Sequence, residues 1–351
     1  MTKQMFIHEL KVALAQVDTN VRDEIVADIS EHFTEGAAQG LSEADICRAL
    51  GQPGSIAEQV LAELGSQTPP KRKPEHPVTG AFTQGADIDE SFTGITHVSA
   101  KLETSSIHLL PSPNDQFRVT IRGTSKNETC NVQNENGKLV ITVKNTKRWF
   151  GFGFNIGKST AETTVYVPAQ FMGELKVDTS VGHISATNTS GELDLDTSVG
   201  HVTVDGHTCK RVKIDTSTGN VSVRMANKYI EYVHIDTSVG NVEFEANEVG
   251  QLTIDTSVGS VNAKVTKISG DTKLDTSAGS VKFAAQEVEG NIKLDTSAGS
   301  ITVFLPIDVN CRIDAKKPFG GSLRNHLRGN PQSPYVLRAD SSAGAIHLNA
   351  L

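Results

Sequence analysis

The chain has 351 residues, a net charge of −8, 5 % aromatic residues and 30 glycines. That length allows two or three domains with a sizeable core, and the acidic balance argues against nucleic acid as the main partner, because phosphate binding needs a basic face. No apolar run approaches the roughly 18–20 residues of a spanning helix, and Met5-Phe6-Ile7 gives way at once to His8, Glu9 and Lys11, so neither a transmembrane segment nor a signal peptide is predicted.

Residues 1–65 are helical in character. Phe6, Leu10, Ala13 and Leu14 form one apolar stripe; Val21, Ile25, Ile29 and Phe33 form a second, broken by Gly36 and Gly40. Ser42 is placed to cap a helix carrying Ile46, Ala49 and Leu50. Gly51 and Pro53 are read as its stop, and Ser55 as the cap of a fourth helix with Ile56, Val60, Leu61 and Leu64. Short connections make this a small bundle. Glu24, Asp28 and His32 fall at i, i+4 and i+8, with Glu31 and Glu35 beside them. They form a solvated face that could dock a partner. A metal would need ligands from elsewhere, so no metal or cofactor is expected.

Glu24, Asp28, His32 and Phe33, then Gly40-Leu41-Ser42-Glu43, then Leu50-Gly51-Gln52-Pro53 and Ala57, resemble the small helical signalling domain called HAAS. The resemblance implies protein–protein docking, since the family occurs in bacterial proteins that accompany transcription regulators and membrane transport components.

Residues 66–80 interleave Pro69, Pro70, Pro74 and Pro77 with Lys71, Arg72 and Lys73, an extended linker. Residues 81–174 are β-rich but irregular, and are read as a cap covering the open strand edges of a repeat region C-terminal to them. Within them Asn136-Gly137, ahead of Leu139-Val140-Ile141-Thr142-Val143, is a hairpin signal. The unrepeated run Trp149, Phe150, Phe152 and Phe154, preceded by Lys147 and Arg148, either plugs the open end or forms a loop meeting a membrane surface or partner groove.

Residues 175–306 are organised by a repeat. Asp-Thr-Ser-x-Gly begins at Asp178, Asp196, Asp215, Asp236, Asp255, Asp275 and Asp295, at intervals of 18, 19, 21, 19, 20 and 20 residues. A fixed period near twenty marks a solenoid. Alternating apolar and polar runs flank each copy, as in Leu175-Lys176-Val177 and Val221-Ser222-Val223, which predicts strands with one buried face. The fold expected is therefore mainly β, a parallel β-solenoid (β-helix) of two-strand rungs. Each Asp is read as capping a corner through an Asx-turn. Gly182, Gly200, Gly219, Gly240, Gly259, Gly279 and Gly299 are read as corner residues of positive φ. The position after each Gly reads His183, His201, Asn220, Asn241, Ser260, Ser280 and Ser300, which puts the two histidines about 5 Å apart on adjacent rungs. Residues 307–351 form an irregular excursion closed by a worn repeat at Asp340.

Phe92-Thr93-Gly94-Ile95, Val167-Pro168 before the first rung, the Thr-Ser-x-Gly corners and Leu305-Pro306 after the last resemble a bacterial putative adhesin domain family. That resemblance implies a β-solenoid over residues 81–351. Some relatives joining a helical front to this solenoid belong to envelope-stress responses, and the resemblance implies such a setting here.

Cys47, Cys130, Cys209 and Cys311 are widely spaced, without a C-x-x-C pair; reduced, buried thiols are expected. A motif present seven times is architecture before it is chemistry, and no isolated acid, base or arginine cluster stands apart from it. The expectation is a non-enzymatic scaffold or sensor in the cytoplasm, with a regulator or membrane protein as partner and a peripheral membrane contact allowed. The alternatives are a surface adhesin-like protein, a polysaccharide-binding or polysaccharide-cleaving β-helix, and a filament-forming solenoid.

Overall fold

The computed structural model describes residues 1–15, 22, 26, 29–30, 33–34, 42–50, 52–57, 83–125, 128–145 and 161–351. Two compact units result, a helical one and a β one.

In the helical unit, α1 spans Lys3–Ala13, with the Thr2 hydroxyl accepting from the Met5 N–H. α2 spans Glu43–Leu50, and Ser42 Oγ accepts from the Asp45 N–H at 3.2 Å, the cap expected there. Phe6, Leu10, Leu14, Ile29, Phe33, Ile46, Cys47, Ile56 and Ala57 share one core. Residues 53–57 are helical. The preceding helix ends at Leu50, ahead of Gly51 and Pro53 as expected, but Pro53 opens the next helical turn, so Ser55 lies within it and is not its cap. The missing N–H and fixed φ of Pro53 suit a first turn, and the Ile56 N–H donates to Gln52 O.

The β unit is built from stacked rungs. A first strand carries the Asp-Thr-Ser motif, as in Glu192–Val199; the chain turns at Gly and runs back as a second strand, as in Val202–His207. Like strands pair parallel with like. Leu193 aligns with Leu175 and Val212, and Asp196 with Asp178 and Asp215. This register continues through Asp236, Asp255, Asp275, Asp295 and Asp340. Alternation explains it: a slip of one residue would send every buried side chain to solvent. Ile230, Val249, Ile268 and Val288 turn inward where the second strand leads to the next rung, and give the rung a short third side. Val, Ile, Leu and Ala from all rungs form one continuous core, each fully buried larger side chain contributing about 1.5–3 kcal/mol.

Both ends of the stack depart from chain order. At the N-terminal end His97–Leu102 and Ser106–Pro111 form a rung directly beside the first Asp-Thr-Ser rung, and Lys101 aligns with Asp178. Lys138–Asn145 and Glu162–Val167 stack outside it. Antiparallel strands then cover the edge: Glu128–Glu135 pairs with Lys138–Asn145 across the Asn136-Gly137 turn, where φ is +52° and +89°. Phe117–Arg122 pairs with Glu162–Val167 on the other face. At the C-terminal end the Asp340 rung, expected to close the stack, is itself covered. Arg312–Ala315 pairs beside Val336–Ala343, and Ser322–Asn325 beside Ala345–Ala350. The excursion after Pro306 is thus the outermost rung, and the chain returns inward to finish.

Candidate functional site

Each corner is held by three ladders that run from rung to rung. The first is glycine. A Cβ built on Gly240 would lie 1.9 Å from Gly219 O, and one on Gly299 would lie 1.8 Å from Gly279 O. The requirement is close approach of backbones, and positive φ is not general, since Gly240 has none. The second ladder is threonine. Thr197 Oγ1 donates to Gly182 O at 3.1 Å, Thr276 to Gly259 O at 2.8 Å and Thr296 to Gly279 O at 2.9 Å. Thr216 occupies the same column, but its buried hydroxyl lacks a partner.

The third ladder follows the glycine. His183 Nδ1 accepts from the His201 N–H at 2.9 Å, His201 Nδ1 from the Asn220 N–H, and Asn220 Oδ1 from the Asn241 N–H. Ser260 and Ser280 continue it at 3.2 and 3.3 Å. Only side chains with an acceptor a short reach from the backbone serve there, hence His, Asn and Ser. The two imidazole rings stack with centroids 5.1 Å apart. Accepting at Nδ1 leaves Nε2 as the ring position that carries hydrogen.

The Asp column lies elsewhere than expected. Asp178, Asp196, Asp215, Asp236, Asp255, Asp275 and Asp295 sit within the first strands and face outward, so they do not cap the corner. Their neighbours in the next outward column include Lys176, Asp194, Lys213 and Lys273. Lys213 pairs with Asp215 and Asp194, and Lys273 lies 3.4 Å from Asp255 and 3.6 Å from Asp275. Partial burial, reinforced by adjacent Asp residues, raises the carboxyls of Asp196, Asp236 and Asp295 above the ordinary range. At the N-terminal end the column stops at Lys101.

The second strands carry another outward column, Asp205, Arg224, Glu245, Lys264, Ala284 and Phe304. Arg224 bridges Asp205 at 3.3 Å and Glu245 at 3.6 Å, and Lys264 reaches Glu245 at 3.4 Å. Lys282 Nζ stands 5.7 Å from the Phe304 ring centroid. The small Ala284 leaves a groove of about 400 Å³ between these side chains. Of the charged side chains lining it, Arg224, Glu245 and Lys264 are already paired.

Among the described residues no group of three or more His, Cys, Asp or Glu could hold a metal ion. All four cysteines are free and buried, and burial pushes the thiols of Cys130 and Cys311 up to about 11 and that of Cys209 up to about 12. Such thiols are poor nucleophiles at neutral pH. His207 is wholly buried, with Nδ1 2.8 Å from Thr189 Oγ1 and Nε2 donating to Gly191 O at 2.8 Å. Glu24, Asp28 and His32, and likewise Lys147, Arg148, Trp149, Phe150, Phe152 and Phe154, lie outside the described residues. Among the described residues no helix is long and apolar enough to cross a membrane.

Residues 6–59 match the HAAS family model. A solved structure of a putative adhesin from Bacteroides fragilis is similar over 76% of this chain and 100% of that one, at 13% identity and a TM-score of 0.40. One of a putative cell adhesion protein from Clostridium sporogenes covers the same shares, at 12% identity and a TM-score of 0.23. No curated protein matches. Residues 95–324, which hold the seven Asp-Thr-Ser rungs with their Gly and Thr columns and most of the outermost rung, match the family model described as Toastrack DUF4097, and the chain belongs to that family.

Proposed function

We propose that this chain is a non-enzymatic scaffold or sensor, in which the helical domain docks a regulatory or membrane protein and the solenoid presents a long binding face. The observation that carries the reading is how the repeated polar side chains are used. Thr hydroxyls other than that of Thr216, and the His, Asn and Ser side chains after each Gly, are engaged in bonds between rungs, so most of the residues that could do chemistry hold the stack together. The Asp column is outward but periodic, and a periodic surface suits recognition of an extended partner better than the single asymmetric centre catalysis needs. Filament formation is disfavoured at both ends. Antiparallel strands cover one, and Arg312, Asp314, Arg324 and their neighbours put charge on the outer strands at the other.

Envelope-stress signalling is the setting this reading favours, with residence in the cytoplasm, where four unpaired thiols persist. The groove beside Arg224, Lys264 and Phe304 favours a second reading, binding of a linear polymer along the stack. Affinity capture from native cells with the full chain tests the proposal. Recovery of a transcription regulator or membrane component, reduced by Glu24→Lys with Asp28→Lys, is the expected result. Turnover of polysaccharide by the purified chain, with no such protein recovered, would overturn it.

A further inference from the structure

The C-terminal end of the stack carries a charge opposite to that of the chain as a whole. Its outermost rung and corner hold Arg312, Lys316, Lys317 and Arg324, all exposed, against the single acid Asp314, on a chain of net charge −8. The ion pairs beside this end are Arg328 with Asp308 and Arg338 with Asp340; Arg312, Lys316, Lys317 and Arg324 make none among the described residues.

The corner of this rung also differs from the others. Where the inner rungs read Asp-Thr-Ser-x-Gly, it reads Lys316-Lys317-Pro318-Phe319-Gly320-Gly321. Pro318 is buried. The Gly321 N–H donates to Pro318 O at 3.2 Å, and Gly320 takes φ +70°, the left-handed position that closes the turn. Gly321 lies so close to the rung beneath that an added Cβ would sit 1.8 Å from Gly344 O. The turn is therefore seated on the stack, and it holds Phe319 outward at 96% exposure.

We infer that this end of the solenoid docks on an anionic lipid surface, with Phe319 entering the headgroup layer and Arg312, Lys316, Lys317 and Arg324 facing lipid phosphates. An aromatic ring beside cations is the combination a membrane interface accepts. The shape favours lipid over a protein partner. Phe319 is a lone exposed ring, and the residues flanking its turn on the surface are charged or small, namely Lys316, Lys317, Gly320 and Ser322. A protein interface would ordinarily surround such an anchor with an apolar rim that excludes water. A fluid anionic surface needs no rim and is complementary in charge. The inference goes beyond the scaffold reading, because it requires no protein partner and its test uses none.

The test is sedimentation of the purified full chain with vesicles of phosphatidylglycerol and phosphatidylcholine, against vesicles of phosphatidylcholine alone. Binding is expected to the anionic vesicles, falling with added salt. Lys316→Glu with Lys317→Glu should weaken it by about tenfold or more. Phe319→Ser should weaken it by several-fold and leave the melting temperature unchanged, since the ring is exposed. Failure of the parent to bind either vesicle would overturn the inference. So would variants that bind as the parent does, which would assign the contact to another part of the chain. Binding of a polyglutamate peptide, lost in the lysine variant while vesicles go unbound, would overturn it in favour of an acidic protein. Capture of a regulator in native cells is unaffected by any of these results.

Discussion

Replacing Gly240 by Ala adds one methyl group at the most crowded point of the corner. That carbon would stand 1.9 Å from Gly219 O and 2.6 Å from its carbonyl carbon. Both atoms are backbone, so no side chain can swing aside and the two rungs must separate locally by more than 1 Å. Separation stretches the Gly219 N–H to Val239 O and Val221 N–H to Asn241 O bonds, both 2.9 Å, and the bond from Thr237 Oγ1 to Gly219 O at 3.4 Å. At about 1 kcal/mol per hydrogen bond the loss is about 2–3 kcal/mol. Urea unfolding of the full chain followed by circular dichroism should show a midpoint lower by roughly 1 M, for a slope near 2–3 kcal/mol/M. Ser238→Ala, at an exposed position on the same rung, should stay within about 0.5 kcal/mol of the parent. If Gly240→Ala unfolds at the parent's midpoint, the glycine ladder does not set the rung spacing.

The threonine column allows a paired comparison: Thr276→Val removes a buried hydroxyl that donates to Gly259 O and should cost about 1 kcal/mol. Thr216→Val removes one that bonds nothing and should be neutral or stabilising; equal losses in denaturation midpoint would contradict the ladder. His207 is pushed down to about 4 by burial, so the unfolded chain protonates first. Its contribution to stability is complete above pH 6.5 and is lost as pH falls through 4, by up to about 3 kcal/mol, and a ring that titrates near 6.5 by NMR would refute this. The Asp column acts in the opposite sense, because its raised carboxyls contribute most below the ordinary carboxylate value and lose that contribution as pH rises through the folded one. Arg224→Ala breaks two exposed ion pairs and should shift stability by less than about 1 kcal/mol; a larger loss on denaturation would mean that the charge column is structural.

The repeat made the rungs legible, because strand alternation and the recurring Gly give both period and register. The roles inside the motif were harder to assign. Asp and Thr are adjacent, and both can bond a turn, so chemistry alone favoured Asp as the cap. Alternation carried the better signal: Thr179 has the parity of Leu175 and Val177, which are buried, and Asp178 that of Lys176, which is not. Nothing local marked the end rungs. His97–Leu102 offers Lys101 where the repeat has Asp, and Arg312–Ala315 belongs outside a rung that comes after it in the chain. Their places are set by long-range pairing, to which a period along the chain is blind. Phe319 gave no signal either, as one aromatic in a Pro-Gly stretch reads as an ordinary turn until its exposure is seen.

Amide hydrogen exchange across the stack tests the central claim most directly, namely that the polar corner residues bind rung to rung and are not free to do chemistry. The amides of His201, Asn220, Asn241 and Ser260 each donate to a side chain of the preceding rung. They should exchange about as slowly as the strand amides of Val202, Val221 and Val242 beside them. Exchange of these corner amides at the rate of an open loop, with the strands still protected, would contradict the account.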